Sequence, residues 1–332
     1  MIKLESYITI DGDSGQSVFP FCNTVEIVST WENFTDTAKL IMPAKIRYKN
    51  AEGNFIDPIL TGENSLWKRG DEVNIRLGYD GTLDHRFSGY LTRIHPKRPL
   101  EFECQDKMWT LKQVTIPKYT KTVTLKQLLT DILPSDIEFQ AEDITLGKFR
   151  ITKATVVEVL NYIKKTYGLS AYFQDGVLYA GFAYKLGSQI DSQNIYEFTR
   201  YVNIIDDSKL DYIREDDINL KVTAISIQND NTKKEVTVGD DLGEQRMIYA
   251  YNVDTATLTK LANEALEKYK YEGYRGSFTT FLQPYVKHGQ AVKLVDNEIP
   301  ERTGTYLVRQ VTTRAGMEGG RQEIFLDRKI SG

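Results

Sequence analysis

Three histidines, His85, His95 and His288, are the side chains best suited to proton transfer or metal binding near neutral pH. They are scattered near predicted turns, and no His-x3-His or Cys-x2-Cys spacing accompanies them, so the ligand clustering that a metal site needs is not visible. Each reads as a solvated loop histidine. Cys22 and Cys104 are the only cysteines. Both lie in apolar or alternating runs and read as two buried thiols, with a disulfide as the alternative. Asp11-Gly12-Asp13-Ser14-Gly15 begins like a calcium loop. Gln16 then stands where that loop needs glycine and Cys22 where it needs an acid, so the segment reads as a turn. Glu215-Asp216-Asp217 and Gly239-Asp240-Asp241 read as solvated loops. Arg69-Gly70-Asp71 spells an adhesion tripeptide, but its turn glycine is the element that recurs later in the chain. Asn33-Phe34-Thr35 matches a glycosylation sequon by chance composition. There is no Gly-x-Ser-x-Gly elbow and no phosphate-binding glycine loop. The 46 acidic residues contain pairs that could serve glycoside hydrolysis, yet nothing singles one out. The expectation is therefore no catalytic residue, no cofactor or cofactor-binding residue, and no metal site.

Bulk properties narrow the class further. A chain of 332 residues is long enough for two domains, or three small ones, without disulfide staples. Hydrophobic residues make up 41% and charged residues 27%, a soluble globular balance. Net charge is −4, and no third of the chain is basic enough for tight nucleic-acid binding. No run of 18 apolar residues suggests a membrane span. The start, Met1-Ile2-Lys3-Leu4-Glu5-Ser6, lacks the apolar core of a signal peptide, which implies synthesis in the cytoplasm.

Most of the chain reads as strand, with Thr, Val, Ile and Tyr alternating with polar residues. Leu220-Lys221-Val222-Thr223-Ala224-Ile225-Ser226-Ile227 and Glu235-Val236-Thr237-Val238 form a hairpin about Asn229-Asp230-Asn231. Three helices stand out. Thr124 with Gln127 and Thr155 with Glu158 are capping-box pairs, each followed by an apolar face at helical spacing. Pro134 stops the first helix, and Gly168 fits the end of the second. The third follows Asp254, over about 255–272, and Gly273 closes it. Asp175-Gly176 between two apolar runs marks a tight hairpin. The expected architecture is mainly β with an α+β insertion. Residues 1–115 form a first β module, 116–200 an insertion of two helices and a hairpin, and 201–332 a second β module with one inserted helix.

An internal repeat carries the most information. Lys68-Arg69-Gly70-Asp71-Glu72-Val73 matches Lys287-His288-Gly289-Gln290-Ala291-Val292. Gly89-Tyr90-Leu91-Thr92-Arg93-Ile94 then matches Gly304-Thr305-Tyr306-Leu307-Val308-Arg309-Gln310-Val311. Glu101-Phe102-Glu103-Cys104-Gln105-Asp106-Lys107 matches Gln322-Glu323-Ile324-Phe325-Leu326-Asp327-Arg328-Lys329. Extra length in the second copy falls at Ala315–Gly320, a glycine-rich tip that tolerates insertion. Three blocks in one order indicate a duplicated antiparallel β module. Three such chains would supply six modules to a ring.

With these blocks in view, the sequence resembles the baseplate hub family of contractile-tail phages. That family includes the late control protein D type and the N-terminal part of type VI secretion spike proteins. The resemblance runs from Asp36-Thr37-Ala38-Lys39-Leu40-Ile41-Met42-Pro43 through the Lys-x-Gly-x-x-Val turn to Phe87-Ser88-Gly89-Tyr90-Leu91-Thr92-Arg93-Ile94. It continues through the helix and hairpin of 156–179 and ends at Gly304-Thr305-Tyr306-Leu307-Val308-Arg309. It implies two related antiparallel β-barrel-like modules and a homotrimer with pseudo-sixfold symmetry. It also implies a structural role joining tail tube to central spike. The partners are then separate spike and tube proteins and other baseplate proteins, with no membrane span. The place is a virion tail or equivalent injection particle assembled in the bacterial cytoplasm. No OB-like, β-helix or lysozyme segment follows the second module, so spike and hydrolase are expected on other chains. The alternatives are a carbohydrate-active or peptidoglycan-degrading tail protein, whose sugar groove the many tyrosines could line, and an adhesin.

Overall fold

A computed structural model describes residues 3–331 apart from 14, 44, 50–53, 61, 63–64, 168 and 182–194. The chain is mainly β, with a few helices placed where the caps predict. Leu125–Ile132 starts at Thr124, whose Oγ1 accepts from Gln127 N while Gln127 Oε1 accepts from Thr124 N. Val156–Tyr167 starts at the same reciprocal pair of Thr155 and Glu158. Thr255–Tyr269 starts at Asp254, which accepts from Thr257 N at 2.7 Å. Each cap satisfies amides that the first turn leaves without a helical partner. Gly168 lies outside the described residues. Gly273 does not close the third helix, which ends at Tyr269. It opens the strand Gly273–Thr280, where a Cβ would come within 2.7 Å of Tyr306 Oη. Packing against that tyrosine, not a helix end, is what requires glycine there.

Both expected hairpins form. Ser170–Gln174 pairs with Val177–Gly181 across Asp175-Gly176, both at positive φ, which suits the twist of a two-residue turn. Leu220–Ile227 pairs with Lys233–Gly239 and, on its other side, runs parallel to Glu244–Tyr251. Thr255–Tyr269 covers this three-stranded sheet, burying Leu258 and Ala262 against Ala224 and Ala250. The second module thus carries a small α/β unit around the predicted helix. The middle core already includes Met108 and Leu111, upstream of the boundary expected at 115, runs to Ala180, and also takes in Ile227 from the Leu220–Ile227 strand.

The duplicated blocks lie in equivalent strands. Glu72–Tyr79, Thr82–His95 and Glu101–Gln105 are neighbours in one module. Ala291–Val295, Gly304–Gly316 and Gly319–Ser331 are neighbours in the other. The turn glycine opens each set with the same backbone step. Gly70 N donates to Leu91 O at 2.8 Å, and Leu91 N returns a bond to Asp71 O at 2.8 Å. Gly289 N donates to Val308 O at 2.8 Å, and Val308 N returns a bond to Gln290 O at 2.9 Å. Leu91 faces Cys104, and Val308 faces Leu326. This register corrects the sequence alignment by one residue. Tyr90 corresponds to Leu307, not Tyr306, and Asp106 corresponds by count to Arg328, not Asp327. Strand faces alternate, so the slip matters. Tyr306 is fully buried, with Oη accepting from Tyr274 N at 2.9 Å. Tyr90 instead packs beside Trp109. The sequence matches the tyrosines, but the backbone matches their neighbours.

Each module curls around its own core. Ile8, Val25, Leu40, Val73 and Phe102 meet in the first. Phe198, Tyr274, Val292, Tyr306 and Ile324 meet in the second. The two are nevertheless parts of one 14-stranded sheet. Gly304–Gly316 pairs with Ala291–Val295 over its first residues. Its far half then pairs antiparallel with Thr24–Thr30 of the first module, from Gln310↔Thr30 to Gly316↔Thr24. Leu282 and Ala315, from the second module, complete the first module's core. Cys22 and Cys104 are free and buried, as expected, and burial pushes the Cys22 thiol up to about 11.

Gly70 and Gly289 have φ of 101° and 79°. A Cβ at Gly70 would meet only ordinary contact with Trp109 at 3.6 Å, and one at Gly289 would meet nothing within 4 Å. Replacement therefore costs backbone conformation alone. Gly70→Ala and Gly289→Ala are each expected to lower unfolding free energy by roughly 1–2 kcal/mol in denaturant titrations. Cost at one glycine and none at the other would contradict their equivalence.

Candidate functional site

A cavity of about 500 Å3 lies where the first module, the middle hairpin and the second module converge. Its walls come from Asn74 and the segment Arg86–Tyr90, from Phe173–Gly176, and from Tyr285, Lys287 and His288.

A bulge builds its centre. Ile75 faces Phe87 but Arg76 faces His85, so Arg86 is the extra residue between them. An extra strand residue re-aims its side chain, and Arg86 is turned inward until its side chain is 1% exposed. Nη2 donates to Leu282 O at 2.5 Å and to Asp84 Oδ2 at 3.3 Å. The guanidinium lies 3.8 Å from the centre of the Tyr285 ring, a cation–π contact in a dry setting. Nη1 reaches Gln322 Oε1 at 3.5 Å. One first-module arginine thus grips two segments of the second module. Nearby, Lys287 pairs with Asp175 at 2.7 Å, which ties the tip of the middle hairpin to the second module.

The histidines do not come together as a site. His288 is 2% exposed, with the Tyr172 ring edge-on at 5.0 Å. Burial pushes it down to about 4, so it is neutral at physiological pH. The solvated-loop reading fails for His288 because the middle hairpin covers the turn that carries it. His85 is exposed on a strand, with Nε2 2.8 Å from Ser88 Oγ. Ser88 Oγ also donates to Asn74 Oδ1 at 2.5 Å. His95 lies 2.8 Å from Glu103 and 3.9 Å from Glu101. The ligand atoms of these three lie within 4.8 Å of one another, a cluster created by strand pairing and invisible in sequence spacing. Lys39 and Lys97 already hold Glu101 at 2.9 and 2.7 Å and keep its carboxyl well below the usual range. A cation there would have to displace two ammonium groups.

Asp36 and Asp106 are the acids that sequence reasoning missed. They sit at one end of the Thr37–Ile41 and Glu101–Gln105 pair, on the cavity wall. Asp36 accepts from Ser29 Oγ at 2.5 Å and Thr30 N at 3.0 Å. Asp106 accepts from Asp36 N at 3.1 Å and Met108 N at 3.0 Å. The pair stitches the first module to the start of the middle unit. Burial pushes Asp36 up to about 7 and raises Asp106 well above the carboxylate range, with the charge of Asp36 adding to the rise. Arg69-Gly70-Asp71 is a structural turn in which buried Asp71 accepts from Lys68 N at 2.7 Å. The segment after Asp11 is the tip of a hairpin that pairs Gly12 with Gly15. No described helix is long and apolar enough to cross a membrane.

No protein-family model matches the chain, and no curated protein matches its sequence. Solved structures match it in fold. The tail protein of Neisseria meningitidis MC58 is 17% identical with a TM-score of 0.61, over 98% of this chain and 96% of that one. The 43 kDa tail protein of prophage MuSo2 from Shewanella oneidensis is 15% identical with a TM-score of 0.61, over 98% of each chain. A chain of the lidded Francisella PdpA-VgrG complex is 13% identical with a TM-score of 0.51, over 99% of this chain but 53% of that one. The chain has the fold of these tail proteins.

The raised acids set a pH dependence. A carboxyl with a folded pKa near 7 and an ordinary unfolded one binds its proton more tightly when folded. Its favourable contribution is complete below about pH 4 and is lost as pH rises toward 7. Asp36→Asn keeps an acceptor for Thr30 N and carries no charge. Its melting temperature relative to wild type is expected to improve from pH 5 to about pH 7 and to level off by pH 8. A difference that stays constant across that range would show that Asp36 ionises freely in the fold.

Proposed function

We propose that the chain is a structural hub subunit of a contractile tail or related injection particle, and not an enzyme. Three copies form a ring of six β modules. The ring presents pseudo-sixfold symmetry to a tail tube and threefold symmetry to a separate spike protein. The observation that carries this reading is the repeated backbone step, Gly70–Leu91 and Gly289–Val308, inside a single sheet. A duplicated module is what a ring needs when its symmetry doubles that of its subunits. The near-complete fold likeness to two tail proteins supports the same reading.

The main cavity supports assembly over catalysis. Its buried acids are tied to backbone amides of Thr30, Asp36 and Met108, and its arginine to a carbonyl and a ring. These groups hold three units together and leave no nucleophile paired with a free base. The near-neutral charge of the chain, −4 over 332 residues, suits a passage through which nucleic acid moves without sticking.

Sedimentation of the purified chain tests the assembly. The expected result is a species of three times the 38.0 kDa monomer mass, increasingly populated with concentration or on addition of the spike protein. A monomer at every concentration, with spike present, would contradict the reading.

A further inference from the structure

Within one chain the two modules meet by continuing a sheet. Thr24–Thr30 of the first adds antiparallel to the 310–316 half of Gly304–Gly316 in the second. Charge follows a fixed polarity across that seam. The first-module strand and the turn after it supply Glu26 and Glu32; the second-module strand supplies Arg314 and Arg309. Arg314 Nε lies 2.6 Å from Glu26, and Arg309 lies 3.6 Å from Glu32.

The repeat locates the same two edges a second time. In the first module the counterpart of Gly304–Gly316 is Thr82–His95, and equating Leu91 with Val308 puts Arg93 in the place of Gln310. Arg93, Ile94 and His95 pair with Glu103, Phe102 and Glu101 on one side. Among the described residues, no strand pairs with their other side. In the second module Gly273–Thr280 holds the place of Thr37–Ile41, because each lies beside the third strand of its repeat. The counterpart of Thr24–Thr30 is therefore the strand on its far side. Ile204–Asp206 and Leu210–Ile213 occupy that position, both antiparallel to it. Among the described residues, their outer edges pair with nothing. The chain thus has both halves of a junction it already makes once, each open.

The charges match as well. Arg93, Lys97 and Arg98 are exposed at the first open edge, and Asp206, Asp211 and Glu215 at the second. The basic side again falls on the counterpart of Gly304–Gly316 and the turn after it, where Lys97 takes the place of Arg314, and the acidic side on the counterpart of Thr24–Thr30; the sign of each edge recurs, while the individual positions shift. Exposed Val202 and Ile205, 73% and 43% exposed, adjoin the acidic edge and supply apolar area for burial.

We infer that the Arg93–His95 edge of one copy receives the 204–213 edge of the next copy, extending the sheet across the subunit boundary as Thr24–Thr30 extends it within the chain. The inference rests on the ring reading and names its interface. The contact is head-to-tail, using two different patches, and such contacts close into rings or grow into filaments.

Charge reversal tests it on the full chain. Arg93→Glu with Arg98→Glu forms one variant and Asp206→Arg with Asp211→Arg another. All four sites are exposed, and unfolding curves verify that both variants fold. Each is expected to raise the concentration needed for half-assembly at least about tenfold, and the combined variant to recover to within about threefold of wild type. A wild-type trimer whose variants assemble normally, or whose combined variant fails to recover, would overturn this interface and leave the ring standing. A wild-type chain that stays monomeric with spike present would overturn both.

Discussion

The pairing of Thr24–Thr30 with residues 310–316 is the contact on which the rest of the molecule depends. It joins segments from opposite ends of the chain, so forming it closes nearly the whole polypeptide into a loop. That closure carries an entropic cost that grows only slowly with length. The return is large because the seam is not a surface contact. It continues a hydrogen-bonded sheet from one module to the other and places Ala315 in the first module's core. Arg86 closes the same seam from the other side, where a one-residue bulge aims it at Leu282 and Tyr285. A buried guanidinium is costly to desolvate, and the ring, carbonyl and carboxylate around it offset that cost only in this geometry. Loss of the seam would leave two curled sheets with open edges and incomplete cores.

The same constraint explains why the cavity is polar. Three units with separate cores must meet somewhere, and their ends are rich in backbone groups that strand pairing leaves unsatisfied. Asp36 and Asp106 satisfy the amides of Thr30 and Met108, and Lys287 reaches across to Asp175. The chemistry concentrated there is that of joining.

Local features were legible in the sequence because local physics decides them. Thr124, Thr155 and Asp254 name their helix starts, and Asp175-Gly176 names its turn, since in each case a side chain or a positive φ satisfies its own neighbourhood. The turn glycines at 70 and 289 were legible for the same reason. Register was not. The tyrosines at 90 and 306 suggest one alignment, while the bonds of Leu91 and Val308 set another, and one residue exchanges the two faces of a strand. His288 looked like a loop residue because the hairpin that buries it lies more than a hundred residues upstream. The bulge at Arg86 and the cluster of His95, Glu101 and Glu103 depend on strand pairing, which spacing along one strand cannot reveal. That the two modules share a sheet was equally hidden, since nothing in Thr24–Thr30 specifies its partner.

The central claim is that two equivalent modules per chain, joined by a sheet, are arranged three chains to a ring. Class averages of the purified assembly by electron microscopy test it most directly. The account predicts a closed torus viewed end-on with six lobes of similar density around an open centre, and threefold symmetry once the inserted units are resolved. Isolated two-lobed particles, or a closed assembly whose lobe number is not twice its chain number, would contradict it.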